Sequence, residues 1–217
     1  MQVKICGITN IEDALCAAEN GATALGFIFY PPSPRTIDPQ KALEIIDRLP
    51  VRLVKVGVFV NEQPETVRQI VERCRLDMLQ LHGDESPEYC GMFPSRRVIK
   101  ALELKTDEDV SRVSDFDVPA ILVDARHAGL YGGTGKTANW ELARRVPRPL
   151  ILSGGLNEDN VVAAIQQVRP AALDINSGVE ERPGQKDAAK IERMMQMIST
   201  ATSGMKTPQL FVQKEKI

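Results

Sequence analysis

The sequence predicts an α/β protein built as a single (β/α)8 TIM barrel, and three observations carry that reading. Short apolar runs alternate with amphipathic stretches from one end of the chain to the other, eight times over. Strict βα alternation calls for a parallel sheet covered by helices. The length of 217 residues suits eight such units closed into a barrel, whose usual size is about 250 residues and whose lower bound is about 200. A doubly wound open sheet is the alternative. It carries its glycine-rich turn after the first strand, where this chain has only Cys6-Gly7-Ile8-Thr9-Asn10.

Each unit can be read in order. Residues 3–6 (VKIC) form the first strand, and 11–21 a helix stopped by Gly21. The second strand is 24–29. A proline-rich loop follows, then a helix over 39–49 with Asp38 as N-cap and Pro39 in the first turn. The third strand spans 52–60, and Pro64 opens a helix that runs to Cys74. The fourth strand is 78–81, followed by a short helix at 86–93. Strands at 97–102 and 120–125 precede helices near 106–114 and 138–145. The seventh strand is 149–155, with a helix over 157–168 capped by Asn157. The eighth strand is 171–178, with a last helix near 187–200. The barrel domain is expected over 1–204, and 205–217 as a polar tail, disordered or lying on the surface.

Composition narrows the function. Apolar residues make up 43% and charged residues 26%, with a net charge of -2. That balance lacks the basic footprint of a nucleic-acid binder. No apolar run approaches the ~18 residues of a membrane span, and residues 1–8 read as a strand rather than a targeting signal. A cytoplasmic protein is expected. The four cysteines form no C-x-x-C pair and there are two histidines, so no metal site is expected. Each cysteine is by default a small buried apolar residue.

In this fold the active site forms at the carboxyl ends of the strands, so those residues are the ones to inspect. Lys4 and Cys6 share one strand face and Val3 and Ile5 the other. Lys4 and Cys6 then point into the barrel, where a cation can favour the thiolate. Arg35, in the loop after the second strand, is a clamp for an anion. Gln80 and His82 share a face at the end of the fourth strand. Asp124 closes the apolar run of the sixth, and an acid there needs a task or a partner. The partner considered is Lys4 or Arg126. Gly154 and Gly155 end the seventh strand, and Asn176 and Ser177 the eighth. Loops at those places commonly hold a phosphate, because glycines let the backbone approach and successive N–H groups form an anion nest. The run at 129–137 looks like a nucleotide-binding loop, but that pattern needs glycine at 130 and Leu130 stands there. A loop that covers substrate is the reading kept.

These segments, taken together, resemble the phosphoribosylanthranilate isomerase family of tryptophan biosynthesis. They are VKICGIT at 3–9, GFIFYPPSPR at 26–35, VGVFVN at 56–61, QLHG at 80–83, LVDA at 122–125, YGGTGKTANW at 131–140, LSGGLN at 152–157 and DINSGVE at 174–180. The resemblance implies an Amadori rearrangement of a phosphorylated small molecule without a cofactor, in a monomer or homodimer. It implies Cys6 as general base and Asp124 as general acid. It implies Arg35 on the anthranilate carboxylate, His82 and Asp174 lining the pocket, and Lys4 assisting Cys6. Asn176 stands where many relatives have serine, and both side chains carry a donor. Two other readings stay open: another phosphate-binding barrel such as a sugar-phosphate epimerase, or an inactive barrel kept as a binding module.

Overall fold

The computed structural model of the chain describes residues 1–124 and 139–213. Among these, eight parallel strands close a barrel in chain order. They are β1 (Gln2–Cys6), β2 (Ala24–Ile28), β3 (Val54–Phe59), β4 (Met78–Leu81), β5 (Val98–Leu102), β6 (Ala120–Val123), β7 (Leu150–Leu152) and β8 (Ala172–Ile175). The helices that cover them are α1 (Ile11–Glu19), α2 (Pro39–Ile46), α3 (Pro64–Arg73), α4 (Pro87–Cys90), α5 (Asp107–Arg112), α6 (Trp140–Ala143), α7 (Val161–Val168) and α8 (Ala188–Ala201). The open sheet is thereby set aside. No helix among the described residues is long and apolar enough to cross a membrane.

Local chemistry explains the helix starts. Asp38 accepts from the backbone N–H groups of Gln40 and Lys41, with Pro39 in the first turn, as its position in the sequence predicts. Asn10, Ser86, Thr106 and Asp187 cap their helices in the same way. Asn157 does not cap α7. Its Oδ1 accepts from Asp159 N, which closes a separate turn, and the helix starts four residues later at Val161. The eighth strand is also shorter than expected. It ends at Ile175, and a 3-10 turn at Ser177–Val179 leads into a hairpin of β9 (Glu180–Arg182) and β10 (Gln185–Lys186). Asp13 on α1 ties the hairpin down by accepting from Lys186 N at 2.7 Å.

Side-chain alternation divides each strand between two cores. Outward residues such as Ile5, Phe27, Leu79 and Leu173 pack under the helices. Inward residues such as Val54, Met78, Ile99, Ala120 and Ile151 fill the lower barrel. The polar inward residues sit above them, toward the carboxyl end.

The expectation of a loose tail fails at two residues. Leu210 and Phe211 are buried in the lower barrel core, against residues of that inward set. Gln2 holds them there. Its Oε1 accepts from Leu210 N at 2.6 Å and Phe211 N at 2.9 Å, and its Nε2 donates to Phe211 O at 3.0 Å. The apolar pair is too short a signal to stand out within a polar stretch, yet the open amino end of the barrel gives it a place to bury. Phe211→Ala is expected to lower stability by about 2–3 kcal/mol and Tm by roughly 5–10 °C. Calorimetry checks this, and a Tm within a degree of the parent would show that the plug contributes nothing.

Candidate active site

The pocket at the carboxyl mouth depends on a missing side chain. Gly26 pairs with Cys6 in the β1–β2 register. A Cβ at Gly26 would lie 2.6 Å from Cys6 Sγ and 2.9 Å from Lys4 Cε. Glycine therefore makes the room in which both side chains turn inward. Val3 and Ile5 take the helix side, as alternation requires.

Lys4 is wholly buried, and its Nζ donates to Asp174 Oδ1 at 2.7 Å. The two residues are Cα partners across β1 and β8. Burial opposes the lysine's charge, but Asp174 and Cys6 together outweigh it and the Lys4 pKa is raised. Cys6 lies at the mouth of the same strand and lines the pocket. Burial pushes its thiol above the ordinary 9.0, while the Lys4 charge pulls it down, Asp174 pushes it up and Lys186 pulls it down, with a net rise.

Asp124 stands across the mouth, three strands from β1 by the shorter way round the ring. It is buried, and its Oδ2 lies 3.0 Å from His82 Nε2. His82 Nδ1 lies 2.7 Å from Gln80 Nε2. Gln80, His82 and Asp124 thus form one hydrogen-bonded row. His82 is fixed by its surroundings: its N–H donates to Phe59 O at 2.8 Å. Lys100 Nζ binds the carbonyls of Leu81 and Gly83 on either side of it, and also Glu85 Oε2 at 2.7 Å.

A third wall carries Arg35, whose Nε and Nη2 both donate to the Glu180 carboxylate, the latter at 2.7 Å. Lys186 Nζ donates to the same carboxylate at 3.0 Å and to Asn176 Oδ1 at 2.9 Å. Burial works to raise the Glu180 pKa, but the Arg35 hydrogen bonds and the Lys186 charge outweigh it and hold it low. Burial pushes Lys186 down, and Glu180 offsets only part of that. Gly154 and Gly155 have φ of 86° and 61°, a region that favours glycine, and they line the pocket with Asn176 and Ser177.

The structure gathers Cys6, Arg35, His82, Asp124, Gly154, Gly155, Asp174, Asn176 and Ser177 around one pocket. Lys4 is not at its surface. Its burial and its bond to Asp174 place it beneath the pocket, so it is not a ligand contact but the counter-ion of one lining residue. Lys4 is likewise not the partner of Asp124. The alternative partner, Arg126, and the loop at 129–137 lie outside the described residues. Sequence reasoning missed Glu180 and Lys186. The proline-glycine pair at 183–184 between polar residues was the available hairpin signal.

The chain is similar along most of its length to known proteins. The family model described as N-(5'phosphoribosyl)anthranilate (PRA) isomerase matches residues 3–197. An N-(5'-phosphoribosyl)anthranilate isomerase of Syntrophus aciditrophicus is 53% identical over 89% of this chain and 85% of its own length. The crystal structure of phosphoribosyl anthranilate isomerase from Thermotoga maritima superposes with a TM-score of 0.83 at 45% identity, over 94% of this chain and 99% of that one. A further structure of such an isomerase, in complex with reduced 1-(o-carboxyphenylamino)-1-deoxyribulose 5-phosphate, gives a TM-score of 0.80 at 42% identity, over 92% and 99%.

The Lys4–Asp174 pair can be tested by halves. Lys4→Met strips a buried carboxylate of its cation and should cost about 3–5 kcal/mol of unfolding free energy. Combining it with Asp174→Leu should restore most of that, because an apolar pair of similar volume is often neutral. Urea unfolding measures both. A loss under about 1 kcal/mol in the single variant would show that the pair is not coupled as described.

Proposed function

The chain belongs to the N-(5'-phosphoribosyl)anthranilate isomerase family, and from that membership we propose how its residues divide the work. The enzyme converts N-(5'-phosphoribosyl)anthranilate to 1-(2-carboxyphenylamino)-1-deoxyribulose 5'-phosphate in tryptophan biosynthesis. The observation that carries the assignment of roles is the placing of Cys6 and Asp124 on facing walls of one pocket. An acid and a base that act at different atoms of one sugar belong on opposite sides of it.

Asp124 as the acid protonates the furanose ring oxygen. The bond from C1' to that oxygen breaks, and the nitrogen lone pair forms the C1'=N double bond of a protonated Schiff base. Asp124 is left as carboxylate, with His82 beside it to donate. Cys6 as thiolate then removes the C2' proton. The C–H electrons form C1'=C2', and the nitrogen takes back its pair, giving an enolamine. The ketone follows when the Cys6 thiol returns a proton to C1' and the Asp124 carboxylate takes one from the C2' hydroxyl. The two protons moved in the first half are balanced by the two moved in the second, so the enzyme returns to its starting state. The substrate's own nitrogen serves as electron sink.

The remaining contacts fit binding roles. Glu180 holds the Arg35 guanidinium through Nε and Nη2, which leaves Nη1 to meet the anthranilate carboxylate. Lys186 holds Asn176 by its carbonyl oxygen, so its amide N–H2 is the end that serves a phosphate. The backbone of Gly154 and Gly155, with Ser177, completes that phosphate site. Four free thiols suit a reducing cytoplasm.

Cys6→Ser and Asp124→Asn should each lower kcat by about 10²–10⁴ while KM changes little. Steady-state assay by loss of substrate fluorescence checks this, and near-normal kcat in either variant removes that residue's role. The upward shift of the Cys6 thiol has its own consequence. A thiol with pKa above 9.0 is protonated near neutrality, and its thiolate fraction still grows as pH passes 9. Alkylation of Cys6 by iodoacetamide, followed by mass spectrometry in the free enzyme, should therefore rise about tenfold per pH unit with no plateau below pH 9. A plateau near pH 7 would contradict the dominance of burial.

A further inference from the structure

One polar group in the pocket wall is left without a partner. Gln80 is almost wholly buried, and among the described residues its Oε1 accepts no hydrogen bond. Its other amide atom, Nε2, lies 2.7 Å from His82 Nδ1. An unpaired buried carbonyl costs about 1–3 kcal/mol, so a strand would not retain it here without a compensating use.

The two ends of the amide demand opposite things of the imidazole. With Nε2 toward the ring, Gln80 donates and Nδ1 must accept. The proton of a neutral ring then sits on Nε2, where it points at Asp124 Oδ2 3.0 Å away. Asp124 is offered a donor, which suits a carboxylate. With the amide turned over, Oε1 accepts from Nδ1–H. Nε2 of a neutral ring then has a lone pair toward Asp124, which suits a carboxyl group that carries the proton itself. Neither orientation satisfies the whole amide, since one leaves the carbonyl unpaired and the other the N–H2. The two are therefore close enough in energy for one amide rotation to exchange them.

We propose that Gln80 is a positioning residue that sets which ring nitrogen of His82 carries the proton, and so which protonation form of Asp124 the site holds ready. The proposal rests on the reading of Asp124 as the acid. That reading requires both forms in each turnover: the acid before ring opening and the carboxylate after it. The backbone around His82 is held still. Phe59 O takes its N–H, and the Lys100–Glu85 pair fixes the backbone on both sides of it. With the backbone held and the ring between Gln80 and Asp124, the ring proton and the amide are the parts that can exchange. The other ionisable groups of the pocket stand apart from this row: Cys6, Asp174 and Arg35 line its remaining walls, and Lys4 is engaged by Asp174 and Lys186 by Glu180.

The test uses the full-length enzyme with ¹⁵N-labelled histidine. The chain has two histidines, and a His127→Gln variant assigns the His82 signals. The parent should show His82 with its proton on Nε2. Gln80→Glu, which as carboxylate can only accept, should move a proton to Nδ1. Gln80→Met, which can do neither, should give a mixture. Both should lower kcat by about 10–100-fold with KM within threefold, because only the handling of the proton is changed. A His82 spectrum unchanged in Gln80→Glu overturns the proposal. So does a changed spectrum with kcat unaltered. A merely structural Gln80 would lower Tm and raise KM in both variants and leave the tautomer alone, which also overturns it. The reading of Asp124 fails separately, through normal kcat in Asp124→Asn, and the spectra stand whatever that result.

Discussion

An ion pair shut away from water, Lys4 with Asp174, sets the terms for the rest of the site. A charge inside a barrel is tolerable only with a partner at hydrogen-bonding distance, and the β1–β8 register puts these two residues directly opposite. The pair needs width, which Gly26 supplies by having no side chain. It also needs a dry, apolar floor, which the lower core and the Phe211 plug supply. Cys6 inherits its environment from this arrangement. It stands above a cation that would stabilise its thiolate, but that cation is already committed to a carboxylate and the thiol is buried. Burial prevails, and the thiol is held above its ordinary range.

The same logic recurs around the pocket. Arg35 and Lys186 share Glu180, and Lys100 engages Glu85. In each case a buried charge is bound to its opposite and also to backbone or to an amide: Lys186 to Asn176, Lys100 to Leu81 and Gly83, Glu85 to Gly83 N. Such pairs contribute little net stability, since desolvation offsets most of the attraction. Their effect is to hold the neighbouring loop in one geometry. His82 and Asn176 are positioned in this way, and each lines a different wall of the pocket.

The sequence made the barrel legible because alternation with period two and period 3.6 is a property of each segment by itself. Strand-end position then picked out Cys6, His82 and Asp124 without any tertiary information, and the family resemblance added Asp174. What escaped was pairing. Whether Lys4 answers Asp124 or Asp174 depends on strand register, and register belongs to two strands at once. Glu180 looks like a solvated acid in a run of charge until the hairpin turns it under Arg35. Leu210 and Phe211 look like stray apolar residues until the barrel presents an open end. Asn157 has the right residue type for a helix cap but closes the turn before the helix. Each miss is a place where a distant segment, or a competing local turn, decided the outcome.

Gln80 is where strand alternation and contact geometry meet. Alternation placed it in the pocket beside His82, but a glutamine there could be a ligand contact, a spacer or a support. One end of its amide is engaged and, among the described residues, the other is not. An amide is the one side chain that presents a donor and an acceptor in nearly the same shape, so turning it changes the hydrogen-bond demand and almost nothing else. Placed against an imidazole, which must donate on one nitrogen and accept on the other when neutral, it couples directly to a proton. Leucine at this position would fill the space as well, and glutamate would fix the demand in one sense. A residue able to meet both demands suits the role proposed for Asp124, acid and then carboxylate within one turnover.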